Sequence, residues 1–197
     1  MPTSRHPLDH QRRHPAPTNA MRISPLMVLL SALTVSLSTA SAEQRCDTTQ
    51  HPLSAPTNRF TDNGDGTVTD QASGLMWMRC ALGQEWQDGA CSGSAKTYAW
   101  PASQGAVDVV NSSGEQFFSD WRVPGLRDLA MIIERECVDP RINLTVFPDT
   151  PTDFFWTSTP RADDADQRVY ALSFGPEGVE PHAPDLTHYL RLVRTAR

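Results

Sequence analysis

The stretch F-T-D-N-G-D-G-T-V-T-D, residues 60–70, decides how the fold begins. Two short runs rich in Phe, Thr and Val flank an Asn-Gly pair and an Asp-Gly pair. Such pairs supply the positive φ angles of a tight turn, so the stretch predicts a β-hairpin. The apolar run L-M-W-M at residues 75–78 predicts a further strand soon after it.

The same hairpin carries four oxygen-bearing side chains that could bind calcium: Asp62, Asn63, Asp65 and Asp70. Hard cations prefer several oxygen ligands from one tight loop. The register does not fit an EF-hand, because Gly66 at the loop glycine puts Ala72 at the twelfth position, which needs a Glu. We expect a turn in which Asn and Asp tolerate positive φ. Calcium remains the alternative, and no other cofactor is predicted.

Two later segments predict helices. Pro101 suits the first turn of a helix that runs to residue 111, and its apolar positions are expected to face inward. These positions are Ala102, Ala106, Val109 and Val110. A second helix is predicted over residues 126–137, where apolar residues recur at helical spacing. They are Leu126, Leu129, Ala130 and Ile133.

The remaining chain predicts strands at residues 154–158, 168–174 and 188–194. A hairpin, then helices, then strands is an α+β order. We therefore expect a compact α+β domain with two main helices, a small antiparallel sheet and long loops.

The first 42 residues are typical of export rather than of a folded domain. From Met21 the chain has a basic start at Arg22, an apolar run over residues 26–37 and the small residues A-S-A at 40–42. Residues 1–20 are interpreted as an extension upstream of the true start, and the signal begins at residue 21. The apolar run is shorter than the ~20 residues of a spanning helix, although a retained membrane anchor is the alternative. Cleavage near Ala42 would release a periplasmic or secreted chain that meets the membrane only through its transient signal.

The predicted mature chain has a polar leader at residues 43–58 and one domain at 59–197. The whole chain has a net charge of −6, and residues 43–197 hold 13 basic and 22 acidic residues, a net charge of −9. Proteins that bind nucleic acid through phosphate contacts need a basic surface. The acidic balance therefore argues against a nucleic-acid partner.

All four cysteines lie in the exported part: Cys46, Cys80, Cys91 and Cys137. An even number in an oxidising compartment favours disulfides over thiol chemistry. Among the three possible connectivities, spacing favours Cys80 with Cys91, which closes a Gly-rich loop, and Cys46 with Cys137, which ties the leader to the domain.

Four motifs in order carry a resemblance to a known family. They are F-T-D-N-G-D-G-T-V-T-D-x-x-S-G-L-M-W (60–77), S-D-W-R-V-P (119–124), F-P-D-T-P-x-D-F-F-W-T-S-T-P (147–160) and Y-L-R-L-V-R (189–194). Together they resemble the C-terminal domain of the Legionella collagen-like adhesin, over roughly residues 60–194. D-W-R-V-P and L-R-L-V-R are also similar to motifs of formylglycine-generating enzymes, which share a C-type-lectin-like fold.

The resemblance implies a lectin-like domain with paired first and last strands, binding to an extracellular polysaccharide or surface protein, and a possible trimer. Formylglycine-generating enzymes hold copper with a late cysteine pair, but no Cys follows Cys137. The adhesin's association with sulfated polysaccharides needs a basic face. That face would exist here only if certain arginines cluster, namely Arg161, Arg168, Arg191, Arg194 and Arg197.

Three long loops, residues 84–96, 161–167 and 175–187, are the expected variable surface. Their candidate ligand-binding residues are Asp163, Asp164, Glu180, His182 and Asp185. The motifs E-P-H (180–182) and A-P-D (183–185) are similar to C-type-lectin sugar motifs but differ by one residue each. If the loops converge, the acidic face would suit a cation-bridged or basic ligand, and the alternative is a solvated surface that binds nothing.

No catalytic centre is predicted. Trp121 and Trp156 are expected in the core, Arg122 is expected to pair with a carboxylate, and no carboxylate pair has an acid–base spacing. The sequence therefore favours an exported, non-catalytic binding domain. The alternatives are a divergent enzyme of the sulfatase-modifying superfamily and a purely structural envelope domain.

Overall fold

A computed structural model of the chain describes residues 43–113 and 118–196. The described residues all belong to one compact unit. The predicted signal, its cleavage site near Ala42 and the upstream extension lie outside the described residues. No helix in the described part is both long and apolar enough to cross a membrane.

The described residues contain two α-helices, α1 (Trp100–Ser113) and α2 (Leu126–Ala130), and a 3-10 turn at Thr57–Arg59. The strands in the first half are β1 (Arg45–Cys46), β2 (Phe60–Asp62), β3 (Thr67–Asp70), β4 (Leu75–Met78), β5 (Glu85–Gln87), β6 (Ala90–Ser92) and β7 (Thr97–Ala99). Those in the second half are β8 (Cys137–Val138), β9 (Phe154–Pro160), β10 (Val169–Ser173), β11 (Val179–His182), β12 (Thr187–Tyr189) and β13 (Val193–Thr195).

These strands form a five-stranded sheet of order β11-β10-β9-β12-β7 and a four-stranded sheet of order β13-β4-β3-β2. Two-stranded ribbons join β1 to β8 and β5 to β6. All pairs are antiparallel except β12 with β9. The predicted mixed α+β class is confirmed, and the predicted hairpin is the β2–β3 pair. The sheet content exceeds the single small sheet expected.

Strand β9, which lies inside the five-stranded sheet, is buried on both faces near its start. Phe155 and Trp156 are neighbours on β9 and both are fully buried. Successive residues of a strand point to opposite faces, and these two belong to different core clusters. Phe155 packs with Leu172 and Phe174 in one cluster, whereas Trp156 packs with Ala171 in the other. This explains the continuous apolar run at the start of β9, which is typical of a doubly covered strand.

The predicted inward face of the first helix is partly wrong. Helix α1 buries Ser103 and Val107, one helical turn apart, whereas Val109 is 66% exposed and Ala102 is also exposed. The apolar residues of this helix lie on more than one side, since Val107 and Val109 point in nearly opposite directions, so periodicity alone does not identify the face that meets the sheet.

The second helix is much shorter than predicted, because α2 ends at Ala130 instead of reaching residue 137. The buried carboxylate of Glu134 accepts backbone N–H groups of Ser54 (2.8 Å) and Ala55 (2.7 Å). Cys137 then lies in β8, opposite Cys46 in β1. The segment after α2 therefore leaves the helix and contacts the leader. These tertiary contacts outweigh the helical preference that the apolar periodicity predicts.

The predicted last strand, residues 188–194, is two strands in two sheets. Strand β12 joins the five-stranded sheet, whereas β13 pairs with β4 in the four-stranded sheet. The expected pairing of first and last strands is wrong, because β2 and β13 lie at opposite edges of that sheet. In the segment between β12 and β13, the backbone carbonyls of Leu190 and Leu192 accept hydrogen bonds from the N–H groups of Leu82 (2.8 Å) and Met78 (3.1 Å).

Both disulfides have the connectivity that the spacing favoured. Cys46 pairs with Cys137, 91 residues apart, and Cys80 pairs with Cys91, 11 residues apart. The loop at residues 80–94 also contains the β5–β6 ribbon. The end of the leader packs into the domain, since Ala55 is completely buried, whereas residues 45–52 are exposed.

Candidate functional site

A cavity of about 620 Å³ lies where α1 begins and the β9–β10 and β11–β12 connections meet; we call it the Trp100 groove. Its apolar lining residues are Trp100, Pro101, Pro160, Ala165, Val169 and Pro184. Its polar lining residues are Arg161, Asp163, Asp164 and Gln167. We call the apolar lining residues the floor of the groove and the polar lining residues its rim; many small-molecule sites combine these two kinds of surface.

The floor is held by core contacts. The Trp100 backbone N–H donates to the Pro184 carbonyl (2.9 Å), which joins the start of α1 to the β11–β12 loop. The Trp100 ring packs edge-on against the buried Trp156, with centroids 5.8 Å apart. The Trp156 indole N–H in turn donates to the Tyr98 carbonyl (2.7 Å). These contacts hold the backbone and the ring of Trp100 in place within the fold.

The rim is shaped by Asp164, whose side chain is only 4% exposed. Its carboxylate accepts hydrogen bonds from Arg168 Nε (2.7 Å) and the Asp166 N–H (3.0 Å), and Arg161 Nε lies 3.7 Å away. The hydrogen bond from Arg168 is the main reason that the pKa of Asp164 is lowered. Asp164 therefore organises the loop, and Asp163 is the more accessible carboxylate.

The β11–β12 loop is closed at its base by two histidines. His182 Nδ1 lies 2.6 Å from His188 Nε2, and His182 Nε2 lies 3.4 Å from Glu180 Oε2. The Phe154 ring centroid is 4.4 Å from that of His182. Burial, together with the neighbouring His182, lowers the pKa of His188 to about 4, although Asp153 acts in the opposite direction.

The predicted convergence of loops is realised in part. Residues 161–167 meet residues 175–187 at the Trp100 groove, but the contribution of the latter is Pro184. Of the predicted ligand-binding residues, Asp163 and Asp164 line the groove, whereas Glu180, His182 and Asp185 do not. Residues Gln84, Glu85 and Trp86 of the first loop line a different cavity.

The four predicted calcium ligands do not form one cluster. Asp62 accepts from the Gly64 N–H (2.8 Å) and pairs with Arg79 (2.7 Å), and Asp65 accepts from the N–H and hydroxyl of Thr67 (3.0 and 2.6 Å). Asn63 donates to the Thr67 hydroxyl (2.9 Å). These contacts build the hairpin turn.

Asp70 is fully buried and accepts hydrogen bonds from Arg59 through both carboxylate oxygens. Burial raises its pKa, but the hydrogen bonds from Arg59, Ser73 and the Ala72 N–H outweigh that effect and leave the pKa lowered. Among residues 43–113 and 118–196, no three His, Cys, Asp or Glu residues are arranged to hold a metal ion.

The expected core residues are in the core. Trp121 is 2% exposed and Trp156 is completely buried, and Arg122 pairs with Asp128 at 2.9 Å. Trp100 and Gln167 were not predicted as individual site residues, and Arg161 was expected only as part of a possible basic face. The one available signal was the W-P pair at residues 100–101, an aromatic residue at a helix start beside a loop-rich surface.

Residues 66–194 match the family described as the Lcl C-terminal domain. No curated protein matches the chain. The match includes β3, both helices and all of β13 except Thr195. It agrees with the four motifs and with a mixed α+β domain that carries two disulfides. Because the match covers more than half of the chain, the protein belongs to the Lcl C-terminal domain family, that of the Legionella collagen-like adhesin.

Proposed function

We propose that the protein is an exported, non-catalytic binding domain that holds an uncharged segment of an extracellular polysaccharide in the Trp100 groove. The single observation that carries the proposal is the combination of an indole and three prolines in the floor with Arg161, Asp163 and Gln167 at the rim. A sugar ring has an apolar C–H face and hydroxyl groups at its edge. The floor suits the first and the rim suits the second.

The charge of the rim favours a neutral ligand over a sulfated one. Asp164 forms ion pairs with the guanidinium groups of both Arg161 and Arg168. Of the other arginines that could have formed a basic face, Arg191 is completely buried and Arg194 pairs with Asp120 at 2.6 Å; Arg197 lies outside the described residues. The exposed Asp163 would repel a polyanion by a salt-dependent amount.

The compartment and the lack of thiol chemistry agree with this proposal. Two disulfides indicate an oxidising periplasmic or extracellular environment. Since all four cysteines are paired, no thiolate pair is available for the copper chemistry of formylglycine-generating enzymes. Export by a signal cleaved near Ala42, a C-type-lectin-like fold and a trimeric assembly belong to the same proposal. Light scattering of the exported protein tests the trimer.

The decisive experiment is a glycan array followed by calorimetry, using protein purified as the cell exports it. Trp100→Leu removes the stacking surface, and Gln167→Asn shortens a rim donor while keeping a residue that tolerates φ of +53°. Both changes should weaken binding of a neutral glycan at least fivefold. The double change Glu180→Gln with Asp185→Asn, outside the groove, is the control and should leave affinity unchanged.

Each alternative has its own outcome. Weaker binding only in the Glu180/Asp185 variant would place the site on the acidic loop instead of the groove. Binding that requires calcium would support the alternative with a metal. No binding to any glycan or surface protein would favour a structural envelope domain.

A further inference from the structure

A second cavity, about 380 Å³ in volume, lies between the β2–β3 turn, the β5–β6 ribbon and the C-terminal part of α1. Trp86 forms one of its walls and packs directly on the hairpin turn. A Cβ added to Gly66 would lie 2.8 Å from Trp86 Cβ, and Gly66 has a φ of +85°. The Cys80–Cys91 disulfide holds the ribbon that carries Trp86. We call this cavity the Trp86 pocket.

The lining of the Trp86 pocket combines an apolar surface with negative charge. Met78, Leu82 and Val110 provide aliphatic and thioether surface. Within the described chain, the charged residues that line it are Asp65 and Glu85. Both hydrogen bonds that Asp65 accepts from Thr67 go to Oδ1, so Oδ2 has capacity for a ligand. Glu85 is exposed at the rim.

Trp86 already holds a cation within the fold. The Arg79 guanidinium carbon lies 4.0 Å from the Trp86 ring centroid, and Trp is the strongest cation-binding aromatic residue. The charge of Arg79 is matched by Asp62 at 2.7 Å, and its Nε donates to the Val146 carbonyl (2.9 Å). Arg79 therefore orients the indole without neutralising Asp65 or Glu85.

From these contacts we propose that the Trp86 pocket binds a primary ammonium group on a short aliphatic stem. The stem packs on Met78, Leu82 and Val110, and the ammonium donates to Asp65 and Glu85. The volume lies near the lower end of the range for ligand sites, which suits one such group. A lysine side chain of a partner protein and a free alkylamine share this chemistry. The site is separate from the Trp100 groove and does not depend on glycan binding.

The test uses n-hexylammonium, n-hexanol and n-hexanoate as probes with the ¹⁵N-labelled exported protein at pH 7 and low salt. The Trp86 indole N–H resonance reports on the pocket. We expect hexylammonium to shift it in a saturable way, hexanol to bind more weakly and hexanoate not to bind. Glu85→Gln should weaken hexylammonium binding about two- to fivefold, in line with a partly exposed charge pair, and leave hexanol unchanged. Glu43→Gln is the matched control at an exposed glutamate outside the pocket.

The proposal is overturned if hexylammonium and hexanol bind equally, if Glu85→Gln and Glu43→Gln behave alike, or if the Trp86 resonance does not move. Val110→Phe should fill the pocket and abolish binding of both probes. Val110 is partly buried, so the Val110→Phe variant could fail to fold. In that case the comparison of Glu85→Gln with Glu43→Gln decides the test. Tighter binding of Nα-acetyllysine methylamide than of hexylammonium supports a protein lysine as the source, and weaker binding supports a free amine.

Discussion

At the scale of single residues, one buried arginine stabilises the crossover between the two sheets. Arg191 is completely buried, and its guanidinium donates to the carbonyls of Met78 and Arg79 and to the Thr150 hydroxyl. The Phe147 ring lies 4.9 Å from its guanidinium carbon. Burial lowers the pKa of Arg191 to about 9, so it still carries its charge at neutral pH. This residue lies in the crossover from β12 to β13.

Replacing Arg191 should therefore destabilise the whole domain. Arg191→Met leaves buried carbonyl groups without donors, and we expect a loss of about 2–4 kcal/mol in the free energy of unfolding. Urea denaturation measures this loss. Arg122→Met is the control, because Arg122 is 45% exposed, and its loss should stay below about 1 kcal/mol. Equal losses in both variants would contradict the role assigned to Arg191.

A single buried glutamate after α2 connects the leader to the domain through hydrogen bonds. Glu134 is 1% exposed and accepts from the N–H groups of Ser54 and Ala55. Burial raises its pKa, but these backbone hydrogen bonds outweigh burial and leave the pKa lowered. Glu134→Gln replaces one acceptor oxygen by a donor that faces an N–H group.

We expect Glu134→Gln to reduce stability by about 1–3 kcal/mol and to increase hydrogen exchange at Ser54 and Ala55. Glu136→Gln is the matched control and should change neither quantity by much. If exchange in the leader stays slow in the Glu134 variant, other contacts hold the leader, such as the hydrogen bonds of Gln44 to the carbonyls of Pro140 and Ile142.

At the scale of elements, the His182–His188 pair couples the β11–β12 loop to pH. The pKa of His188 is lowered from 6.5 to about 4, so the folded state prefers the neutral ring. The unfolded chain binds a proton first, and stability is full above about pH 6.5. It falls as the pH drops from about 6.5 to about 4, by at most about 3 kcal/mol.

Chemical denaturation at a series of pH values checks this dependence. His188→Gln should flatten the curve between pH 6.5 and 4. His51→Gln, at an exposed histidine of the leader, should leave the curve unchanged. A slope that persists in the His188 variant would assign the titration to other groups.

At the scale of the whole molecule, the two disulfides constrain very different lengths of chain. Cys46–Cys137 encloses 91 positions and Cys80–Cys91 encloses 11. In the chain-entropy account, the longer loop contributes roughly 4–5 kcal/mol and the shorter roughly 3. Replacing Cys46 and Cys137 together by Ala should therefore reduce stability more than replacing Cys80 and Cys91. Urea denaturation of the two double variants gives the order, and the reverse order would contradict this account.

The sheet order also explains how distant residues meet at the Trp100 groove. Strand β9 lies between β10 and β12, and β12 in turn pairs with β7, which leads directly into α1. The antiparallel β12–β7 pair places the β11–β12 loop beside the start of α1, and the β9–β10 connection reaches both segments at the groove. The groove is a product of these long-range contacts rather than of any single motif.

The sequence by itself determined the features that depend on local chemistry. Asn-Gly and Asp-Gly pairs specify the β2–β3 hairpin, an apolar run specifies β4, and cysteine spacing favours the disulfides that the structure contains. The motifs around Trp121 and Trp156 also indicate buried residues and the family. Each of these depends on neighbouring residues or on fixed spacing, so one sequence is sufficient to identify them.

Tertiary structure alone decided where α2 ends, how the last strand divides and which loops meet. The chain is not helical at Glu134, because the leader supplies N–H groups that the Glu134 carboxylate accepts. The chain passes from one sheet to the other at Arg191, because buried carbonyls accept hydrogen bonds from its guanidinium. Trp100, Asp163 and Pro184 are far apart in sequence and share a groove through the pairing of β7, β12, β9 and β10. Long-range contacts carry most of the stabilising free energy of such elements, and local periodicity does not encode them.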